Sequence, residues 1–191
     1  MQILFLSSNR HKAEEIIGMS KAFGIDLKWS RYEKLEIQSG DTSEVARTSA
    51  ALAYAALRKP LIVEDSGLFI DALKGFPGPY ASFVYHTIGL EGILALLDGK
   101  RDRGAHFKTS IGYADGSSTR IFEGIVHGSI SDRVHRGRAF GYDPIFVPSG
   151  SKKTFSEMGV LEKNKISHRM RAFEQLAEYL IKNNAKEKVI K

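Results

Sequence analysis

The chain has 191 residues, of which 42% are hydrophobic and 26% charged, so it has an ordinary globular composition and enough length to bury a core in one domain over residues 1–191. The absence of cysteine excludes disulfides, thiolate metal sites and a cysteine nucleophile. The net charge of +6 is dispersed along the chain, which disfavours a nucleic-acid-binding protein. The first residues form neither a basic leader nor a membrane segment, so we expect a cytoplasmic protein without a membrane partner.

The first third of the chain predicts a strand followed by two helices. Residues 3–7 are apolar and predict a short buried strand, and the helical spacing of the next apolar residues predicts a helix from about residue 10 to 21. Asp41 and Glu44 form a capping-box pattern that begins a second helix. This helix should end by Lys59, because a proline follows it.

The rest of the chain predicts both strands and helices. A short strand at residues 61–63 should lead into a loop at Glu64-Asp65-Ser66-Gly67, and residues 75–79 are too rich in glycine and proline for regular structure. Two long strands, 104–114 and 118–130, should be joined by a turn at Asp115-Gly116. The other predicted elements are a helix opened by Pro79, a helix at 88–97, a strand at 145–147, a single turn at 154–158 and a last helix with Ser167 as N-cap. Together they predict an α/β fold with a mixed β-sheet flanked by helices and a long β-hairpin.

The segment Ser7-Ser8-Asn9-Arg10-His11-Lys12 lies between the first strand and the first helix. Free backbone N–H groups at a helix N-terminus, short polar side chains and a lysine are typical of a phosphate-binding loop. The alternative is that Ser8 or Asn9 only caps the helix. The two interpretations are about equally supported by this segment alone.

Two adjacent acids, Glu64 and Asp65, and the upstream Glu36 are candidate metal ligands. Carboxylates at a strand end suit Mg²⁺, which could bridge triphosphate oxygens and activate a water molecule. The alternative is a pair of loop acids that neutralise surface lysines. No zinc-binding spacing occurs among the histidines, and no nucleophile elbow is present, so direct attack by water is the simpler chemistry.

Two later segments suit a ligand with a planar ring. Phe140-Gly141-Tyr142-Asp143 places an aromatic side chain beside a carboxylate, although a buried turn without a ligand would have the same residues. Lys163, His168 and Arg169 surround the start of the last helix, where positive charge is unfavourable for the helix itself. We expect an anion or a carbonyl-rich ligand to offset that charge.

These segments, in this order, resemble the inosine triphosphate pyrophosphatase family over nearly the whole chain. The resemblance implies hydrolysis of ITP, dITP and XTP to the monophosphate and pyrophosphate with Mg²⁺, a homodimer, and an elongated two-lobed fold with the active-site cleft between the lobes. The implied triphosphate contacts are Ser7, Asn9 and Lys12, and the further implied substrate contacts are Ser8, Arg10, His11 and Ser66. The implied metal ligands are Glu36 and Asp65, with Asp65 also the catalytic base, and the implied base pocket consists of Phe140, Gly141, Tyr142, Asp143, Lys163, His168 and Arg169.

Two other functions remain open from the residues. A related pyrophosphatase with the same phosphate-binding residues could act on pyrimidine or modified-base triphosphates. A basic RNA-binding module without catalytic activity would bind oligonucleotides with a steep salt dependence.

Overall fold

The computed structural model describes residues 2–137 and 140–189, with side chains up to residue 183. The predicted α/β class is confirmed. The strands are β1 (Ile3–Leu6), β2 (Leu27–Ser30), β3 (Leu61–Ile70), β4 (Pro77–Gly78), β5 (Gly104–Ala114), β6 (Thr119–Ile130) and β7 (Phe146–Pro148). The helices are α1 (Arg10–Ala22), α2 (Thr42–Leu57), α3 (Ala81–Thr87), α4 (Gly89–Leu96), α5 (Val160–Ile166) and α6 (His168–Val189), with single 3₁₀ turns at Asp71–Leu73 and Phe155–Glu157.

The strands form one mixed sheet in the order β2-β1-β3-β5-β6-β7, and β4 pairs with the far end of β3. Strand β1 is parallel to β2 and β3, whereas the remaining pairs are antiparallel. The predicted hairpin is confirmed: β5 and β6 pair along their whole length, and Gly116 has the positive φ of 100° that their turn requires.

Three apolar clusters cover this sheet. Helices α1 and α6 pack on one face around Phe5 and Ile62, whereas α2 packs on the other face around Leu6 and Val63. Successive residues of a strand point to opposite faces, so the neighbours Ile62 and Val63 belong to different clusters. The third cluster lies around Leu68 at the other end of β3, together with α3 and α4.

The capping predictions are largely confirmed. Asn9 accepts a hydrogen bond from the Lys12 N–H at 3.2 Å, and Ser167 Oγ accepts from the Met170 N–H at 3.1 Å, so each side chain caps its helix. Asp41 caps α2, but the expected capping box is incomplete because the Glu44 carboxylate accepts from Ser39 Oγ at 2.6 Å instead.

The prediction that residues 64–67 form a loop is wrong. Strand β3 continues through them to Ile70, because β5 pairs with it along the whole length. Their polar side chains interrupt the apolar pattern and hide the strand. Strands β2 and β4 and helix α5 were not predicted either: β2 is a short edge strand without buried residues, and β4 has only two residues.

None of the helices in the described residues is both long enough and apolar enough to cross a membrane.

Candidate active site

The candidate site lies where β3 changes its neighbour. Strand β1 pairs with β3 only as far as the Leu6–Val63 pair, and β4 begins at the Leu68–Gly78 pair. Residues 64–67 therefore have β5 on one side and no strand of the described chain on the other. Because β1 and β3 are parallel, the loop that follows β1 opens at this gap. This explains why two predicted segments, distant in sequence, come together here.

A cavity of about 350 Å³ adjoins this gap. It is lined by the predicted site residues Asn9, His11, Lys12, Ser66, Phe140, Gly141, Tyr142, Asp143, Lys163, His168 and Arg169. Residues of the phosphate-loop segment and of the two later segments thus line one cavity.

Five predicted site residues do not line the cavity. Ser7 is buried, and its Oγ accepts from the Asn9 N–H at 3.1 Å, so it shapes the loop. Ser8 is exposed, and Arg10 forms an exposed ion pair with Glu14. The other two are Glu36 and Asp65.

Glu64 connects the two ends of the cavity. Its side chain is buried, and its Oε2 lies 2.8 Å from Lys12 Nζ while its Oε1 lies 3.2 Å from Arg169 Nη2. Ser66 and Thr109 also donate hydrogen bonds to it. Burial alone would raise the pKa of Glu64, but Lys12 and then Arg169 outweigh it and hold that pKa well below its ordinary value. Glu64 is therefore a carboxylate that holds two cations in place.

Glu15 continues this network towards the base-pocket turn. It pairs with Arg169 and, at 3.2 Å, with Lys163 Nζ, which in turn lies 2.7 Å from Asp143 Oδ2. Lys12, Glu64, Arg169, Glu15, Lys163 and Asp143 therefore alternate in charge along an unbroken chain of ion pairs. A buried charge is tolerated when it is paired and hydrogen-bonded, and every member here has a partner.

The start of helix α6 packs closely against β6, and this contact positions His168 and Arg169. A Cβ on Gly124 would clash with the His168 carbonyl oxygen, so only glycine allows this close approach. The His168 ring stacks on Phe107 at a centroid distance of 4.6 Å. Burial, followed by the neighbouring Arg169, lowers the pKa of His168 well below its ordinary value, so the imidazole is neutral.

The expectation that a ligand offsets the positive charge at the start of α6 is therefore corrected. His168 carries no charge, and two protein carboxylates, Glu15 and Glu64, already neutralise the Arg169 guanidinium. His168 lines this end of the cavity, and its buried Nδ1 has no hydrogen-bond partner within the described residues.

The turn after β6 forms another wall of the cavity. The Phe140 ring lies 5.1 Å from the His11 ring, which brings the phosphate-loop segment beside the aromatic predicted to stack on a base. Tyr142 is buried, and its hydroxyl donates to the Ala81 carbonyl at 2.9 Å, which anchors the turn to α3.

The acids Asp65 and Glu36 lie beside the cavity on the α2 side of the sheet. Asp65 points to the opposite face from Glu64, and burial raises its pKa to about 6 against the opposing charges of Lys12 and Lys34. Its Oδ2 has no hydrogen-bond partner among the described residues, and its Oδ1 lies 3.9 Å from Lys34 Nζ. Glu36 Oε1 lies 2.7 Å from the same ammonium. Asp65 and Glu36 are thus brought together, but through Lys34.

This donor set fits Mg²⁺ only in part. The buried Asp65 carboxylate has one oxygen without a hydrogen-bond partner in the described chain, and oxygen ligands suit Mg²⁺. No group of three or more histidine, aspartate or glutamate side chains in the described chain could hold a metal by itself. Other ligands would have to come from substrate and water, which is the usual arrangement for Mg²⁺ bound to phosphates.

Sequence analysis missed several residues at this site. Glu15 received no role, although it follows Lys12 by three residues and so lies on the same face of α1. Lys34 received no role, and Glu64 was considered only as a candidate metal ligand, whereas in the structure it pairs with Lys12 and Arg169. Both roles depend on partners distant in sequence. The remaining cavity residues without a prediction are Gly67, Ala81, Ser82, Tyr85, His86 and Phe107.

Comparison with known proteins identifies the family. Residues 3–179 match the model of the Ham1 family. The dITP/XTP pyrophosphatase of Saccharolobus solfataricus is 50% identical over 187 residues, covering 98% of this chain and 97% of the relative. That of Hyperthermus butylicus is 47% identical, covering 93% and 94%. The structure of the Staphylococcus aureus Ham1 protein superposes with a TM-score of 0.84 at 28% identity, covering 96% of this chain and 100% of that one. The resemblance stated from the sequence is confirmed: the chain belongs to the Ham1 family.

Proposed function

We propose that this protein hydrolyses dITP, XTP and ITP to the nucleoside monophosphate and pyrophosphate, and so removes deaminated purines from the nucleotide pool. The observation that carries the proposal is that Asn9, Lys12, Phe140 and Arg169 all line the same cavity. The pyrophosphatase names of relatives that are 50% and 47% identical support the same activity.

The triphosphate binds at the N-terminus of α1. The backbone N–H groups of the first turn and the Lys12 ammonium favour negative charge there. Asn9 caps the helix while it faces the cavity, and Ser7 holds the loop in shape from beneath. These groups would neutralise the charge that develops on the departing pyrophosphate.

Glu36 and Asp65 are the proposed ligands of Mg²⁺, which supplies a positive charge to the phosphate oxygens and lowers the pKa of water. Asp65 is the proposed base that takes a proton from the water attacking the α-phosphorus. Burial raises its pKa to about 6, so the carboxylate is largely ionised at neutral pH and close to the range in which a general base is most effective.

The base binds between Phe140 and the start of α6. Phe140 offers a face for stacking, and the buried Arg169 and neutral His168 offer N–H groups to the 6-oxo oxygen of hypoxanthine or xanthine. Adenine has a 6-amino donor in that position, so donor would face donor. A buried polar mismatch of this kind is costly, which favours ITP over ATP.

The larger architecture belongs to the same proposal. We infer one domain over residues 1–191, because β3 and β5 run from the α1 end of the sheet to the α3 end without interruption. The apolar clusters at these two ends would form two lobes, with the active-site cleft between them. A homodimer in the cytoplasm is expected for such an enzyme, and sedimentation of the purified protein measures the dimer directly.

The test is one pyrophosphate-release assay with ITP, dITP, XTP, GTP, ATP, dTTP and UTP, with and without Mg²⁺. We expect the deaminated purines to react fastest and to require the metal. The fastest reaction with dTTP or UTP would instead identify a pyrimidine-specific relative. Tight, salt-sensitive oligonucleotide binding without turnover of any nucleotide would identify a nucleic-acid-binding module.

A further inference from the structure

Lys34 has an unusual position beside the proposed metal ligands. It lies in the segment 31–40, which forms neither helix nor strand, and its side chain is only 13% exposed. Its Nζ donates to the Glu64 carbonyl oxygen at 2.8 Å, lies 2.7 Å from Glu36 Oε1 and lies 3.9 Å from Asp65 Oδ1. The ammonium thus stands among three oxygen atoms.

These three oxygens are of the kinds that bind a divalent cation. Carboxylates and backbone carbonyls are the usual protein ligands of Mg²⁺. Residues 64–67 lie in the gap between β1 and β4, where β5 is their only strand neighbour in the described chain and the Glu64 carbonyl accepts from Lys34. Asp65, which is 7% exposed, also has an oxygen without a partner there. A lysine ammonium is a compact cation with three donors, so it competes with a metal for the same atoms.

We propose that Lys34 is a tethered cation that occupies the Glu36–Asp65 site of the substrate-free protein, so that Mg²⁺ enters only together with a triphosphate. The inference rests on the proposed function, because it assumes that Glu36 and Asp65 are the metal ligands. While the ammonium is in place, one positive charge offsets one of the two carboxylates. A free dication therefore meets a site that is already half neutralised and partly filled.

The substrate provides what is needed to displace the lysine. A triphosphate carries several negative charges, and its oxygens can accept the ammonium when the metal takes the carboxylates. Lys34 has a flexible four-carbon stem, while its segment is held by Tyr32, which packs on the α2-side cluster, and by the Leu35 carbonyl, which accepts from Ser49 Oγ at 2.6 Å. The lysine can therefore move from carboxylate to phosphate without any change in the sheet.

The experiment measures metal binding to the nucleotide-free protein. Mn²⁺ is titrated into the wild type and into the Lys34→Met and Lys34→Gln variants, and free Mn²⁺ is followed by electron paramagnetic resonance. Lys28→Met, at an exposed position on β2, is the matched control. We expect both Lys34 variants to bind Mn²⁺ at least tenfold more tightly than the wild type and the control, since a competing charge within about 4 Å has been removed. Adding Glu36→Gln to Lys34→Met should abolish the gain.

Thermal unfolding in EDTA and in Mg²⁺ provides a second measurement that also shows whether each variant is folded. Mg²⁺ should raise the unfolding temperature of the Lys34 variants by more than that of the wild type. Equal Mn²⁺ affinity in all four proteins overturns the role of Lys34. Hydrolysis of dITP by the same wild-type preparation separates the two ideas: absence of pyrophosphate release rejects the proposed function, whereas normal turnover with unchanged metal affinity rejects only the tethered cation.

Discussion

The two sides of strand β3 handle buried charge differently. On the α1–α6 side, Glu64 and Arg169 belong to a chain of ion pairs in which every charge has a partner. On the α2 side, Asp65 is nearly as buried, yet one of its oxygens is unpartnered and its pKa is raised to about 6. The charges of the first side are all paired without a ligand, whereas the charge of Asp65 on the second side is only partly compensated.

This difference matches the two tasks of the proposed enzyme. Recognition of a neutral base requires donors and acceptors that are already in place, because reorganising them on binding would cost affinity. Binding of a metal with its triphosphate requires a site that stays short of positive charge until both arrive. The comparison can be tested by removing one carboxylate at a time.

The largest expected effect is on turnover. Asp65→Asn should lower kcat for dITP by about a thousandfold. A general base contributes roughly 10²–10⁴, and the substitution also removes a metal ligand. Asp98→Asn, at an exposed position, is the control and should retain normal activity. A rate for Asp65→Asn within tenfold of the wild type would remove Asp65 from the mechanism.

Glu64→Gln should lower the free energy of unfolding by about 3–5 kcal/mol, because it leaves two buried cations without their shared carboxylate. The pKa of Glu64 is lowered in the folded state, so its stabilisation is fully present above the ordinary glutamate pKa and is lost as the pH falls towards the lowered value. Urea unfolding measures the change.

Glu14→Gln is the matched control for that experiment, since it breaks the exposed ion pair with Arg10 and should cost at most about 1 kcal/mol. Equal effects of the two substitutions would mean that the network around Glu64 is no more than a surface ion pair.

Asp65→Asn should have the opposite effect on stability when no metal is present. The pKa of Asp65 is raised from the ordinary value to about 6, so the buried charge destabilises the fold above pH 6, and this penalty disappears as the pH falls through 6 towards 4. At pH 7.5 in EDTA the variant should be about 2–3 kcal/mol more stable than the wild type. A variant of equal or lower stability at that pH would contradict the assignment of an incompletely compensated charge to Asp65.

The smallest expected effect concerns base selectivity. Arg169→Ala should reduce kcat/KM for ITP more than for ATP, by roughly tenfold, as expected for one lost hydrogen bond to a charged group. Rates are divided by the fraction of folded protein, because the substitution leaves Glu15 and Glu64 without Arg169 and so also lowers stability. Arg171→Ala is the control, because Arg171 lies two residues further along α6 and donates to the Ile125 carbonyl. An equal loss with both nucleotides would place Arg169 on the phosphates.

Most of the local structure was predictable. The caps at Asn9 and Ser167 and the β5–β6 hairpin depend on residues within a few positions of one another, so their signals are visible in a short window. The extension of β3 through Glu64 and Asp65 was not predictable, because polar residues inside a buried strand make sense only when their partners are known.

Those partners are distant along the chain. Arg169 reaches Glu64 across 105 residues and Glu15 across 154, and Lys34 reaches the Glu64 carbonyl across 30. No local pattern indicates such pairs. For the same reason the charge of His168 was misjudged: its protonation depends on burial and on Arg169 beside it.

The sequence by itself therefore determined the family, the α/β class and the residue types around the cavity, because motifs and periodicity are local properties. Only the tertiary structure decided which carboxylate neutralises which cation, that His168 is neutral and that Asp65 Oδ2 has no hydrogen-bond partner among the described residues. The physical reason is that the ionisation of a buried group depends on its desolvation and its nearest charges, and both are created only when distant segments pack together.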